Sequence, residues 1–206
     1  MKIQFILMFF SLFSISSCST TNKNENILID TTQEKLSQQA PKLHQDTLTD
    51  PYHYYYLSHL PLRQVGQLIL NDSIIPSDNK ITFNCMDSLS SKNANTRNYY
   101  FPVFLKILDK SDGALGEAIG QYAMTYIEKY PKEFAEKSKS ITNEQFKSWA
   151  YHTGYELYFT YATDKKAKRW ISSMIKNCSN CDTTQLKRLE EFNKLVTVAI
   201  KDNYEE

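Results

Sequence analysis

The chain has 206 residues, of which 41% are hydrophobic and 23% charged, and this is enough for one domain with a hydrophobic core. It contains only five glycines and six prolines, which argues against an all-β fold with many tight turns. The formal charge is +1, and so neutral a balance gives no indication of a nucleic-acid partner.

The first residues have the layout of a secretory signal peptide. Lys2 supplies a short basic start, and the apolar run Ile3–Phe13 follows it. This run is too short to cross a bilayer, which takes about 20 residues. Small residues come next, so residues 1–17 are predicted to be a cleaved signal and not a transmembrane anchor.

The tetrapeptide Ile15-Ser16-Ser17-Cys18 ends this segment. It resembles the lipobox of bacterial lipoproteins, in which the signal is cut just before the cysteine and that cysteine is acylated. The resemblance covers residues 1–18, with isoleucine where leucine is more usual. It implies that Cys18 carries diacylglycerol and usually a further acyl chain, which together anchor a protein stably in the lipid bilayer. An ordinary signal peptide with an incidental cysteine is the alternative.

The residues after Cys18 bear on destination and domain organisation. An aspartate directly after the cysteine would resemble an inner-membrane retention signal, but this chain has Ser19 there. The resemblance therefore implies the outer membrane. No dense acidic run follows, unlike in some surface-exported Bacteroidota-like lipoproteins, and we therefore expect the periplasmic face. Residues 18–49 are polar without a sustained period and are predicted to be a flexible tether. Residues 50–206 are predicted to form a single α-helical domain.

The stretch Ser111–Pro131 gives the clearest long helix signal. Asp112 is the predicted N-cap, and Pro131 ends the helix. One apolar stripe repeats at helical spacing through Leu115, Ile119, Tyr122 and Tyr126. Gly116 and Gly120 lie on a second stripe of small residues, where each glycine costs about 0.5–1 kcal/mol against alanine. Because a helix that carries both glycines bears this cost, we predict that a neighbouring backbone approaches the helix closely at these positions.

Start signals predict further helices before and after this stretch. Before it, helices are predicted to begin at Pro51, Pro61 and Ser77, and Ser90–Asn98 is predicted to be a polar loop. The apolar stripe after that loop contains Pro102, which a helix tolerates only in its first turn.

After the stretch, Thr142 and Gln145 form a predicted capping box. The last two helices are predicted to begin near Asp164 and Asp182. With no hairpin signal in the chain, the predicted fold is all-α, an irregular antiparallel helical array or bundle. An α-solenoid of the tetratricopeptide or HEAT-like kind stays open, although no repeated signature is found.

Cys178 and Cys181 form a C-x-x-C motif. Behind a signal peptide the compartment is oxidising, so a structural disulfide is predicted, which would lock the turn between the last two helices. Free thiols, a redox site and a zinc site are the alternatives. Zinc would need two more ligands, for which Cys85 and His152 are the obvious candidates. Cys85 lies on an apolar stripe and is interpreted as a buried, inert thiol.

Tyrosine is abundant, with 14 in the chain. Two groups are predicted to form an interaction surface, namely Tyr52, Tyr54, Tyr55, Tyr56, Tyr151, Tyr155 and Tyr158. Together with the anchor and the lack of catalytic motifs, they predict a non-enzymatic protein-interaction module with an envelope protein as its partner and no cofactor. The alternative is that these tyrosines fill gaps between helices.

An envelope hydrolase acting on cell-wall or carbohydrate material is the alternative function. It would use helix-borne carboxylates such as Glu117 and Glu156, held about 5–10 Å apart in a cleft. His152 lies four residues before Glu156, a spacing that also permits a shared metal. No phosphate-binding glycine loop, nucleophile elbow or H-E-x-x-H motif supports an enzyme. The basic cluster at 165–169 is interpreted as a solvated helix face, or as a contact for anionic headgroups or a partner.

Overall fold

A computed structural model describes residues 51–161 and 164–205, with side chains for 54–161 and 165–203. The predicted signal peptide and tether, including Cys18, lie outside the described residues. Within them the chain forms nine helices and no strand, so the all-α prediction is confirmed. The helices are α1 (Pro51–His59), α2 (Leu62–Leu70), α3 (Lys80–Ser88), α4 (Ala94–Lys110), α5 (Gly113–Lys129), α6 (Pro131–Lys137), α7 (Asn143–Thr160), α8 (Asp164–Asn177) and α9 (Thr183–Glu205). Among these described helices, none is both long and apolar enough to cross a membrane.

Helix α7 lies at the centre of the core. Its most extensive contacts are with α9 and α5, and it also contacts α4 and α8. Trp149 on α7 is fully buried. Its ring centroid lies 4.7 Å from that of Phe104, 5.1 Å from that of Phe134 and 5.9 Å from that of Tyr126. Aromatic side chains of α4, α5 and α6 therefore meet on α7, and burying a large apolar side chain stabilises a fold by about 1.5–3 kcal/mol.

The small-residue stripe of α5 faces α7, as the cost of its glycines predicts. A Cβ atom placed on Gly120 would lie 2.5 Å from the carbonyl oxygen of His152 and 2.8 Å from Glu156 Cβ. The two backbones therefore approach so closely that only glycine fits there. Gly154 does the same between α7 and α9, since an added Cβ would lie 2.6 Å from Ala199 Cβ. The sequence pattern gives no sign of this second close approach.

Two predicted boundaries are wrong, because asparagine side chains cap the helices in question. Asn79, and not Ser77, caps α3, since its side-chain oxygen accepts hydrogen bonds from the backbone N–H groups of residues 81 and 82 at 3.0 Å each. Asn93 caps α4 by accepting from the N–H groups of residues 95 and 96 at 2.8 and 3.3 Å. Helix α4 therefore begins inside the segment Ser90–Asn98, only the first part of which is a loop.

Pro102 lies in the middle of α4 and not in its first turn, so that expectation is also wrong. Its ring is exposed, whereas Phe101, Val103 and Phe104 around it are buried. Packing of these neighbours holds the helix together across the missing N–H group, because burial outweighs a local propensity cost of about 3 kcal/mol.

The capping box predicted for α7 is confirmed. Thr142 Oγ1 accepts from the N–H of Gln145, and Gln145 Oε1 accepts from the N–H of Thr142, each at 3.1 Å. Helix α9 starts in the same way with Asp182 and Gln185, whose reciprocal bonds measure 2.8 and 2.9 Å. These caps satisfy backbone N–H groups that a helix leaves without intrahelical partners.

Candidate interaction surface

Three aromatic side chains form a stripe along the outer face of α7. Tyr151, Tyr155 and Phe159 lie one helical turn apart, and we call them the α7 aromatic stripe. The Tyr151 and Tyr155 centroids are 6.5 Å apart, and those of Tyr155 and Phe159 are 4.5 Å apart. Tyr151 is 48% exposed and Phe159 is 62% exposed, and Tyr155 between them is half-buried. The stripe is thus a run of touching rings that faces solvent on the helix whose other face forms the core.

Phe159 is the member of this stripe that the sequence analysis misses. The prediction selects tyrosines by their abundance, although the spacing of four residues from Tyr155 places Phe159 on the same face. Tyr158, which is predicted, is half-buried and meets the Phe159 ring edge-on at 5.0 Å. Burial, followed by the nearby Glu117 carboxylate, raises the pKa of Tyr155.

The tyrosines of α1 form a separate exposed group. Tyr54, Tyr55 and Tyr56 are exposed, while Leu57 beside them is buried in the core. The Tyr55 ring packs on His59 with their centroids 4.1 Å apart. The side chain of Tyr52 lies outside the described side chains. In the part of the chain that the structure describes, no ring contact joins Tyr54, Tyr55 or Tyr56 to the α7 aromatic stripe.

The residues considered for the alternative hydrolase are Glu117, His152 and Glu156, and they do not form a hydrogen-bonded cluster. Glu117 is exposed, and Glu156 is half-buried and accepts a hydrogen bond from Thr160 Oγ1 at 2.6 Å. Burial lowers the pKa of His152, which keeps its ring neutral at physiological pH. Among the described side chains, no hydrogen bond links any two of Glu117, His152 and Glu156. Nor do three or more His, Cys, Asp or Glu residues of this part of the chain cluster as metal ligands.

A polar network joins α4, α5 and α6, and nothing in the sequence predicts it. Arg97 donates from Nε and Nη2 to Glu133 Oε2 at 2.9 and 2.6 Å, and from Nη1 to the Ser91 carbonyl at 2.8 Å. The hydroxyl of Tyr126 donates to Glu133 Oε1 at 3.0 Å, and Lys137 Nζ lies 3.1 Å from the same oxygen. Both carboxylate oxygens are thus engaged, which is the arrangement of a structural residue and not of a free acid or base.

A cleft of about 510 Å³ opens beside this network. Its walls include Glu133 and Lys137 from α6, Gln185 from α9 and the turn 177–180. Cys178 in that turn is joined to Cys181 by a disulfide, with the two Cα atoms 5.4 Å apart. The disulfide therefore lies where the connection from α8 to α9 forms one wall of the cleft. The remaining described cysteine, Cys85, is a buried free thiol whose pKa burial raises to about 12.

Helix α8 presents a basic face. Its buried side carries Ala167, Trp170 and Met174, and the opposite side carries Lys165, Lys166, Lys168, Arg169 and Lys176, which are all exposed. We call these five residues the α8 basic face. A shallow groove of about 680 Å³ runs along it and is also lined by Ser172 and Ser173.

No known family model matches the chain, and neither a curated protein nor a solved structure matches it. A functional proposal therefore depends on the residues and surfaces described above.

Proposed function

We propose that this protein is a lipid-anchored lipoprotein of the bacterial envelope whose helical domain binds another envelope protein without catalysing a reaction. The anchor is acylated Cys18, and the proposed location is the periplasmic face of the outer membrane. The lipobox-like residues before Cys18 support the anchor, and the observation that carries the binding function is the α7 aromatic stripe.

The stripe has the properties of a protein-binding site. Aromatic residues are enriched in interfaces because their large rigid rings bury much area at little entropic cost. Tyr151 and Phe159 are about half or more exposed, so their outer surfaces remain available to a partner. The helix beneath them is fixed on several sides by other helices. The rings are therefore held in place before binding, which lowers the entropic cost of association.

The hydrolase alternative has no comparable support. Glu117 is exposed and Glu156 accepts a hydrogen bond from Thr160, and neither carboxylate lines the cleft beside α6 or the groove along α8. A pair of catalytic carboxyl groups needs opposed positions across one cleft. The positions of these two carboxylates therefore do not favour the hydrolase.

Site-specific photo-crosslinking in native membranes tests the binding proposal. A photoreactive residue at position 159 is expected to capture one dominant envelope protein, identified by mass spectrometry. The matched control carries the same residue at Val198 on α9, which is also an exposed apolar position at 54%. We expect no such adduct from position 198.

Substitutions in the stripe make this test specific. Tyr151→Ser with Tyr155→Ser is expected to abolish the adduct from position 159, because neighbouring aromatic contacts commonly carry most of the binding energy. Cys18→Ala shows whether capture also needs the anchor. Equal capture from positions 159 and 198, or an adduct that survives both tyrosine substitutions, would contradict a binding role for the stripe.

A further inference from the structure

The α8 basic face is a local excess of positive charge on a nearly neutral chain. Helix α8 has five basic residues and one acidic residue, Asp164 at its first position, whereas the whole chain has a formal charge of only +1. All five side chains are exposed. The charge on α8 is therefore concentrated on one side of one helix and does not reflect the average composition.

Four of the five cations of this face are not neutralised by ion pairs among the described residues. Among the described residues, Lys165, Lys166, Arg169 and Lys176 form no ion pair. Elsewhere in the fold, Lys106, Lys110, Lys137 and Lys139 each do. Exposed cations without partners add little to the stability of a domain. Their charge therefore remains available to an external anion.

The geometry of the face fits an extended anionic surface. Lys165 and Lys176 are eleven residues apart, which corresponds to about 16 Å along a helix that rises 1.5 Å per residue. Arg169 lies between them on the same groove. The groove is shallow, and its cations are exposed and spaced along its length. Such an arrangement of cations is better suited to bind a flat surface that carries many anionic groups than to enclose a single anionic ligand.

We propose that the α8 basic face docks the domain on the surface of an anionic lipid bilayer. Clusters of four or more lysines and arginines on an amphipathic helix bind anionic headgroups in this way. The opposite side of α8 is buried in the domain core, so the contact is electrostatic and does not require insertion of the helix. This contact is independent of acylation at Cys18, because it uses only side chains of α8.

Vesicle co-sedimentation of the full-length Cys18→Ser chain tests the proposal without the acyl anchor. We expect more binding to phosphatidylcholine vesicles that contain phosphatidylglycerol than to vesicles of phosphatidylcholine alone. The pure phosphatidylcholine vesicles measure any insertion of the apolar run Ile3–Phe13. The difference should fall as salt rises above about 0.1 M, where the Debye length is about 10 Å.

Two variants of equal charge locate the binding. The first combines Lys165→Gln, Arg169→Gln and Lys176→Gln, and should lower the charge-dependent partition coefficient about a hundredfold, at roughly fivefold for each cation removed. The control combines Lys187→Gln, Lys194→Gln and Lys201→Gln on α9, where all three lysines are exposed. It removes the same charge and should change the partition coefficient only slightly.

Several outcomes would overturn the proposal. One is equal binding to both kinds of vesicle. Another is an equal loss in both variants, which would show that net charge and not the α8 face governs binding. Variants that retain the helical circular-dichroism spectrum of the parent exclude unfolding as the cause. Capture of a protein by the α7 aromatic stripe is a separate result, since neither variant alters that stripe.

Discussion

Glu133 shows how a single residue connects three helices of this fold. Its side chain is 21% exposed, and that of its partner Arg97 is 9% exposed. The Arg97 guanidinium also lies over the Tyr130 ring, 3.8 Å from the centroid. Removing one partner of such a pair leaves the other charge poorly solvated, which costs more than the pair itself contributes.

The variant Glu133→Gln is expected to lower the free energy of unfolding by about 3 kcal/mol, because Arg97 keeps its charge in a nearly buried site. Urea unfolding followed by circular dichroism measures the change. Glu128→Gln on α5 is the matched control, since Glu128 is exposed and forms no ion pair among the described residues. A loss as large in the control as in Glu133→Gln would contradict this role for Glu133.

The same network predicts a pH dependence. Burial alone would raise the pKa of Glu133, but the hydrogen bonds and charges of Arg97 and Lys137 outweigh it and hold the pKa below the usual 4.5. A carboxylate whose pKa is lower in the folded state than in the unfolded chain stabilises the folded protein. This stabilisation is present when the pH lies above the pKa of the group in the unfolded chain. The stability difference between the parent and Glu133→Gln should therefore be full above pH 4.5 and shrink below it. A difference that grows on acidification would contradict this assignment.

At the scale of the helices, the contact between α5 and α7 contains two glycines in different surroundings. A Cβ on Gly120 would meet the His152 carbonyl oxygen at 2.5 Å, whereas a Cβ on Gly116 would lie 3.7 Å from His152 Cε1. The first distance is too short for any real contact, and the second is ordinary van der Waals contact. The two positions thus share one helix and one neighbour but differ in available space.

We expect Gly120→Ala to destabilise the domain by about 1–3 kcal/mol, because the backbones of α5 and α7 must separate. Gly116→Ala is the control and should stabilise it by about 0.5–1 kcal/mol through lower backbone entropy in the unfolded chain and better helix propensity. Thermal unfolding of both variants shows whether each substitution lowers or raises the stability of the domain. Two variants with equal midpoints would show that α5 does not rely on close approach at Gly120.

These helices also show what a sequence pattern can predict. The stripes of α5 and the capping box of α7 are local signals, and both are confirmed. The residues that form each pattern lie within a few positions of one another, so the pattern can be recognised before its tertiary partner is known. The place of Pro102 depends on burial of its neighbours against other helices, so local signals misplace it. The cap at Asn93 is local, since it bonds with residues 95 and 96, but it lies inside a polar stretch that has the composition of a loop. The network of Arg97 and Glu133 joins residues 36 positions apart, a pairing that periodicity and spacing do not contain.

At the scale of the whole molecule, the four cysteines are expected to be in three chemical states. Attachment of diacylglycerol through its glyceryl carbon, proposed for Cys18, would make the Cys18 sulfur a thioether. Cys178 and Cys181 share a disulfide, and Cys85 is a free thiol at 1% exposure. Because burial raises the pKa of Cys85 to about 12, its unreactive neutral form prevails in the folded protein. A count of reactive thiols therefore tests the anchor, the disulfide and the core together.

For protein extracted from its native membrane, a thiol reagent should find no reactive group in the folded state and one, Cys85, after denaturation. Reduction after denaturation should raise the count to three, because Cys178 and Cys181 are then free while a Cys18 thioether stays unreactive. The Cys85→Ala variant assigns the single thiol, since its count should fall to zero before reduction. Two thiols in the denatured, unreduced protein would mean that Cys18 is not acylated. Three would mean that Cys178 and Cys181 are reduced in the envelope. The turn between α8 and α9 would then be held by the α9 capping box, by burial of Cys178 and by the backbone hydrogen bonds that the N–H groups of Cys178 and Cys181 donate.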